Sequence, residues 1–281
     1  MWECREGAGR MGKYQYYLAL QTLLPEGYRE DKEFIAGMKV LGSFGFDGVE
    51  LNIRTPERID PEDLKSFLKE FDLELSMFAT GLTAKTEGLS LASLDEKKRT
   101  LSVRRAKEFL AFARQFGAGI IAGFLKGTSG ESSHAHREAL KQSIADVSEE
   151  AARLKTPFLV EAINRFESPL GNSLDDTWSL VEGSNKGYTY ILPDTWHMNI
   201  EESNMEAALI THREHFISFH LSENNRYFPG YGALDFKHIV GILDACGYRG
   251  KLAIEGNIKK SFAEDVRVAM ELLAPILKST T

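Results

Sequence analysis

The 281-residue chain is poor in cysteine: only Cys4 and Cys246 occur, far apart in sequence. That excludes a disulfide framework and a thiolate metal cluster, and it is the usage expected of a reducing, cytoplasmic setting. Long hydrophobic runs are also missing. Nothing approaches the ~18 apolar residues of a membrane span, and the first ten residues carry no apolar segment, so neither a membrane partner nor a signal peptide is expected. Positive charge is in deficit, with 34 Lys and Arg against 41 Asp and Glu and a formal charge of −7. Without a basic face to hold a phosphate backbone, a nucleic-acid partner is not expected either. The Gly-rich turn that follows the first strand of a dinucleotide-binding sheet is absent, its place taken by Gln21-Thr22-Leu23-Leu24-Pro25. Low-complexity tracts and linkers are lacking, which argues against a second domain.

What is present is a core-forming hydrophobic fraction of 43%, distributed as short apolar runs alternating about eight times with longer amphipathic ones. The runs at 16–20, 48–53, 73–80, 119–125, 158–164, 188–193, 216–221 and 251–255 are nearly continuous rather than alternating. Parallel strands buried on both faces read this way. Helical spacing fills the intervals. Phe34, Ile35, Met38 and Leu41 recur within 31–44, Pro61 opens a second helix, and further patterns cover 95–116, 134–154, 235–246 and 263–277. Gly45, Gly117 and Gly247 follow helices where a left-handed cap is favoured. Strand–helix alternation implies right-handed parallel crossovers. Eight such units in a chain slightly longer than the ~250 residues of a typical (β/α)₈ barrel predict a single TIM barrel spanning residues 12–281. Residues 1–11 read as a flexible N-terminal extension ahead of the first strand.

Chemistry in such a barrel sits at the C-terminal ends of the strands. The last four apolar runs end on Glu161, Asp194, His220 and Glu255. One carboxylate ending one strand is commonly a helix cap or a surface residue; four successive metal-capable ends are a pattern. Neighbouring strands lie about 4.8 Å apart, so the four side chains can converge. Three carboxylates and one imidazole suit a hard divalent cation, Mn²⁺ first and Co²⁺ or Mg²⁺ next, whose charge would relieve the repulsion among the acids. The loops beyond add Glu167, His197 and Arg226, each on its own an ordinary loop residue. Together they make a pocket rich in polar donors that suits a polyol.

The stretches Val160-Glu161-Ala162-Ile163-Asn164-Arg165-Phe166-Glu167, Asp194-Thr195-Trp196-His197-Met198-Asn199, His220-Leu221-Ser222-Glu223-Asn224-Asn225-Arg226 and Ala253-Ile254-Glu255 resemble the ketose 3-epimerases, the D-tagatose and D-psicose (allulose) 3-epimerase group of the xylose-isomerase-like barrels. The resemblance is close over strands five to eight and architectural over the first half. It implies one Mn²⁺-like ion on Glu161, Asp194, His220 and Glu255, with Glu161 and Glu255 as the proton-transfer pair. It further implies that Glu167, His197 and Arg226 bind substrate, and that C3 of a free ketose is inverted through a metal-stabilised cis-enediolate. A homodimer or homotetramer is implied on the same ground. The pattern is departed from at Trp196, where a smaller aromatic is usual, and at Gly256-Asn257. Rival readings share the ligands: an aldose–ketose isomerase acting on a sugar phosphate or hydroxypyruvate, an inosose-type dehydratase, or a sugar-binding barrel without activity. The missing Lys/Arg cluster favours an unphosphorylated sugar.

Overall fold

A computed structural model describes residues 14–278; the expected extension at 1–11 lies outside the described residues. The strands are β1 (Tyr17–Leu23), β2 (Gly48–Asn52), β3 (Glu74–Ala79), β4 (Gly119–Ala122), β5 (Phe158–Glu161), β6 (Thr189–Leu192), β7 (Ser218–Leu221) and β8 (Lys251–Ile254). All pairings are parallel, in the order β6-β5-β4-β3-β2-β1-β8-β7. The ring closes between β6 and β7 on few bonds. His220 N–H donates to the Pro193 carbonyl at 2.9 Å and Ile191 N–H to the His215 carbonyl at 3.0 Å, and Asp194 bridges His220 directly. The TIM barrel expected from the sequence is thus present.

The pleat sorts each strand into two rows. Leu18, Leu20, Val49, Leu51, Val160, Ile191, Phe219, Leu252 and Ile254 face outward into the main core against the helices. Met77, Ile121, Leu159 and Leu192 fill the barrel interior. Because the side-chain period is two, Glu161 continues the inward row of Leu159, and Asp194 that of Leu192. His220 and Glu255 occupy inward positions on β7 and just after β8. The metal-capable residues therefore enter the barrel mouth for the same reason that the leucines below them enter its floor.

The helices are α1 (Lys32–Phe44), α2 (Pro61–Lys69), α3 (Gly81–Glu87), α4 (Glu96–Arg114), α5 (His134–Leu154), α6 (Leu174–Val181), α7 (Thr195–Glu201), α8 (Met205–His212), α9 (Phe236–Ala245) and α10 (Phe262–Leu277). Side-chain caps start most of them: Asp31, Asp60, Asp95, Ser133 and Asp235 each accept first-turn N–H groups, satisfying donors that a helix cannot satisfy internally. Gly45, Gly117 and Gly247 adopt positive φ, as anticipated. Helices α3, α6, α7 and α8 were not read from the sequence. They run for seven or eight residues, too short for a clear periodicity, and in α8 the apolar Ala207-Ala208-Leu209-Ile210 are consecutive. Strand four also ends earlier than its apolar run. Gly123 leaves extended geometry at φ −87° and ψ −93°, and Phe124–Lys126 wind into a 3₁₀ turn.

Candidate active site

At the mouth of the barrel, one ligand atom from each of Glu161, Asp194, His220 and Glu255 lies within 4.8 Å of every other. His220 Nδ1 is 2.6 Å from Glu255 Oε2, 3.8 Å from Glu161 Oε1 and 3.8 Å from Asp194 Oδ2. The sequence expectation that four successive strand ends converge is met. Each donor is aimed by a separate contact. Asp194 uses Oδ1 to cap α7 through Trp196 N–H at 2.7 Å, leaving Oδ2 for the cluster. Arg226 reaches in from the loop after β7, its Nη1 2.6 Å from Asp194 Oδ2 and its Nη2 2.6 Å from Glu255 Oε1. Its guanidinium lies 4.6 Å over the Trp196 ring, so the large aromatic at that departure from the family pattern serves as a platform for the arginine.

The loop carrying Arg226 is tightly held. Arg226 itself sits at φ +64°, a conformation that costs a non-glycine residue about 1 kcal/mol or more. Its N–H donates to the Glu223 carbonyl at 2.9 Å, and its carbonyl accepts from Asn257 N–H at 2.7 Å. Buried Glu223 accepts from the N–H groups of Gly230 and Leu234, closing the loop. A Cβ at Gly256 would lie 3.0 Å from the Arg226 carbonyl oxygen and 2.9 Å from the Tyr227 carbonyl carbon. The glycine of Gly256-Asn257, a second departure from the family pattern, thus lets this loop dock on the end of β8.

His197, on α7, is buried, and burial pushes its pKa down to about 4, so the imidazole is neutral. Its Nδ1 accepts from Asn164 N–H at 3.0 Å, which leaves the proton on Nε2, 3.8 Å from Glu161 Oε1. His197 therefore presents a neutral donor. Glu167 is half-buried, and burial raises its pKa against the opposing charges of Arg226 and Lys85. Glu161, Glu167, His197, Arg226 and Glu255 all line one cavity of about 270 Å³, whose other end is formed by Gln21, Asn52, Leu82, Lys85 and Phe124.

A sequence profile of the xylose isomerase-like TIM barrel family matches residues 39–276. The chain belongs to that family. Among its relatives, the 3-dehydro-D-guloside 4-epimerase of Escherichia coli K12 is 29% identical over 87% of this chain and 92% of the relative. The L-ribulose 3-epimerase of Mesorhizobium japonicum is 30% identical over 75% of this chain and 71% of the relative. Among solved structures, an L-ribulose 3-epimerase superposes with a TM-score of 0.81 at 20% identity, over 93% of this chain and 94% of that one, a likeness of fold. With such relatives, this member of the xylose isomerase-like family is an enzyme of the isomerase class, a sugar epimerase.

Two buried residues of this family member escaped the sequence reading. Glu50, inside β2, is fully buried and accepts from His220 Nε2 at 2.8 Å. That bond fixes a proton on Nε2 and turns Nδ1 towards the carboxylates. A charged residue in the middle of Gly48-Val49-Glu50-Leu51-Asn52 was a legible signal. Lys126, also fully buried, donates to the main-chain carbonyls of Glu161 at 2.5 Å and Gly171 at 2.9 Å, and burial holds its pKa below the usual lysine range. It ties the turn after β4 to the tip of β5. Nothing in Phe124-Leu125-Lys126 advertised it, because only the 3₁₀ turn points the side chain inward.

The donor set fits a divalent cation. His220 Nδ1 and Glu255 Oε2 are buried atoms without a hydrogen-bond partner, although they face each other across 2.6 Å. Burial, then the charge of Glu255, pushes the pKa of Glu161 well above the ordinary carboxylate range. Glu255 goes the other way: burial opposes its charge, but Arg226 and His220 hold it well below that range. A crowd of acids that can keep one member ionised only at another's expense is the electrostatic signature of a site completed by positive charge.

Proposed function

We propose that the enzyme inverts C3 of a free ketose, with Glu161, Asp194, His220 and Glu255 holding one divalent ion, Mn²⁺ before Co²⁺ or Mg²⁺. The reading rests on one observation above the others: two glutamates from non-adjacent strands, β5 and β8, flank a histidine–aspartate pair at the floor of a polyol-sized cavity. The ketose 3-epimerases among the relatives support it. A bound divalent ion would supply Lewis-acid stabilisation of the negative charge that builds on the sugar oxygens as a proton leaves the carbon beside the ketone.

The chain's own residues do the rest. One of Glu161 and Glu255 takes the C3 proton, and the other returns one to the opposite face. Their unlike environments divide the labour: Glu255, held ionised between Arg226 and His220, suits the base, and Glu161, with its affinity for a proton raised, suits the acid that returns one. His197 Nε2–H donates to a sugar oxygen near Glu161 without carrying charge. Arg226 holds two carboxylates apart and covers that end of the cavity, and Glu167 accepts from sugar hydroxyls along its wall.

The test is proton NMR of Mn²⁺-loaded protein with a panel of ketoses in D₂O. The expected result is loss of the H3 signal and growth of the C3 epimer. Exchange at C1 instead, or release of water, would replace the proposal by an isomerase or a dehydratase. A second reading, epimerisation at C4 of a 3-keto glycoside, draws on the E. coli relative, which spans the larger share of the chain; it needs the same proton chemistry and would show as exchange at H4 of such a glycoside. A homodimer or homotetramer is also proposed. Light scattering at the 31.5 kDa of one chain would refute it.

A further inference from the structure

The cavity has two chemically different ends. At the floor, every cation is already engaged: both Arg226 Nη atoms pair with carboxylates, and Lys126 is spent on main-chain carbonyls. At the far end stands Lys85, on the last turn of α3, its ammonium 3.4 Å from the centroid of the Phe124 ring. Among the described residues it forms no ion pair, although it lines the cavity. Beside it, Asn52 Nδ2 donates to Gln21 Oε1 at 2.8 Å, a bond that leaves the Gln21 amide NH₂ free to donate into the same space. Lys85 and Glu167 sense each other across the cavity: the lysine charge offsets part of the rise that burial imposes on the glutamate pKa.

We propose that Lys85, Phe124 and the Gln21–Asn52 amide pair form an anion subsite that takes a single carboxylate on the end of the sugar remote from the metal-ligand cluster, so that the substrate is a keto sugar acid. This rests on the ketose reading of the floor and goes further in naming the substrate class. One unpaired ammonium and one neutral amide donor match one negative charge. The phosphate dianion is a poorer match, because among the described residues no second cation lines that end and Glu167 faces it. Phe124 seats the exposed ammonium over its ring and so fixes the charge at that end of the cavity.

The test separates this subsite from the chemistry at the floor. Calorimetry on Mn²⁺-loaded protein would compare D-gluconate, the neutral polyol D-glucitol and D-glucitol 6-phosphate, in the wild type, Lys85→Met and Lys85→Arg. The expected result is gluconate binding about tenfold more tightly than glucitol in the wild type. That ratio should fall to near one in Lys85→Met and return in Lys85→Arg. Equal binding of the two in the wild type, a preference that survives Lys85→Met (the carboxylate then sitting on the metal ion), or tighter binding of the phosphate would each overturn the proposal. In parallel, the kcat/KM ratio for C3 exchange of D-fructuronate over D-fructose should exceed ten and drop by at least that factor in Lys85→Met; an unchanged ratio would also overturn it. Should neither ketose exchange while the Lys85-dependent binding preference holds, the epimerase reading fails and the anion subsite stands.

Discussion

At the scale of single residues, the site is a problem in placing protons. His220 can offer Nδ1 to a cation only while Nε2 keeps its hydrogen, and Glu50 is what keeps it there. Glu50→Ala should weaken Mn²⁺ binding by about 10- to 100-fold, the usual cost of losing the partner that orients a metal-binding histidine. Titration calorimetry would measure it, and unchanged affinity would remove Glu50 from that role. Glu161→Gln keeps the shape of the side chain and removes its charge. It should cut turnover by about 10²- to 10⁴-fold, the range of a lost general acid or base, while unfolding midpoints hardly move, since burial already disfavours the charged form. Appreciable residual epimerisation at C3 would remove Glu161 from the proton-transfer pair.

At the scale of elements, the strand tips are positioned by the turns that leave them. Gly123 follows β4 beside Glu161, and a Cβ there would run into the Glu161 carboxylate and come within 3.1 Å of Ile163. Gly123→Ala should therefore lower kcat and metal affinity together while circular dichroism stays that of the wild type; an alanine variant with full activity would contradict the crowding. The neighbouring loop depends on Glu131, whose carboxylate accepts from Ser90 Oγ at 2.6 Å and Thr128 N–H at 2.7 Å. Burial would raise its pKa, but these bonds and Lys98 outweigh it and hold the pKa below the ordinary 4.5. A depressed folded-state value means that the stabilisation is present above the unfolded value and lost as pH falls through the folded one. Urea midpoints measured on the acid side of 4.5 should drop more steeply for the wild type than for Glu131→Gln, with the two curves parallel at neutral pH.

At the scale of the molecule, the barrel is weakest where the site is built. The β6–β7 seam closes on few backbone bonds, and Asp194 and His220 stand one on each side of it. A divalent ion held by both would lace the seam. At 100 times its Kd, Mn²⁺ should stabilise the fold by about 2.7 kcal/mol, raising Tm by roughly 5 °C or more. Chelation should reverse the shift, and calorimetric scans with Mn²⁺ and with chelator would check it. An unchanged Tm would mean that the cluster does not bind the ion in the folded state.

The amino-acid order alone determined the barrel and four of its strand-end residues. Near-continuous apolar runs can be buried only as parallel strands under helices, and the period of two along a strand decides which way its last residue points. Glu161, Asp194, His220 and Glu255 were legible because each ends such a run. The far wall of the cavity was not. Lys85 and Phe124 lie on a short helix and a 3₁₀ turn with no periodic signal, and Lys126 is buried only because Gly123 bends the chain. Whether a lysine faces water, a carbonyl or a substrate depends on segments that meet only when the ring closes; tertiary packing decided it, because the energies involved belong to contacts between strands rather than to any one of them.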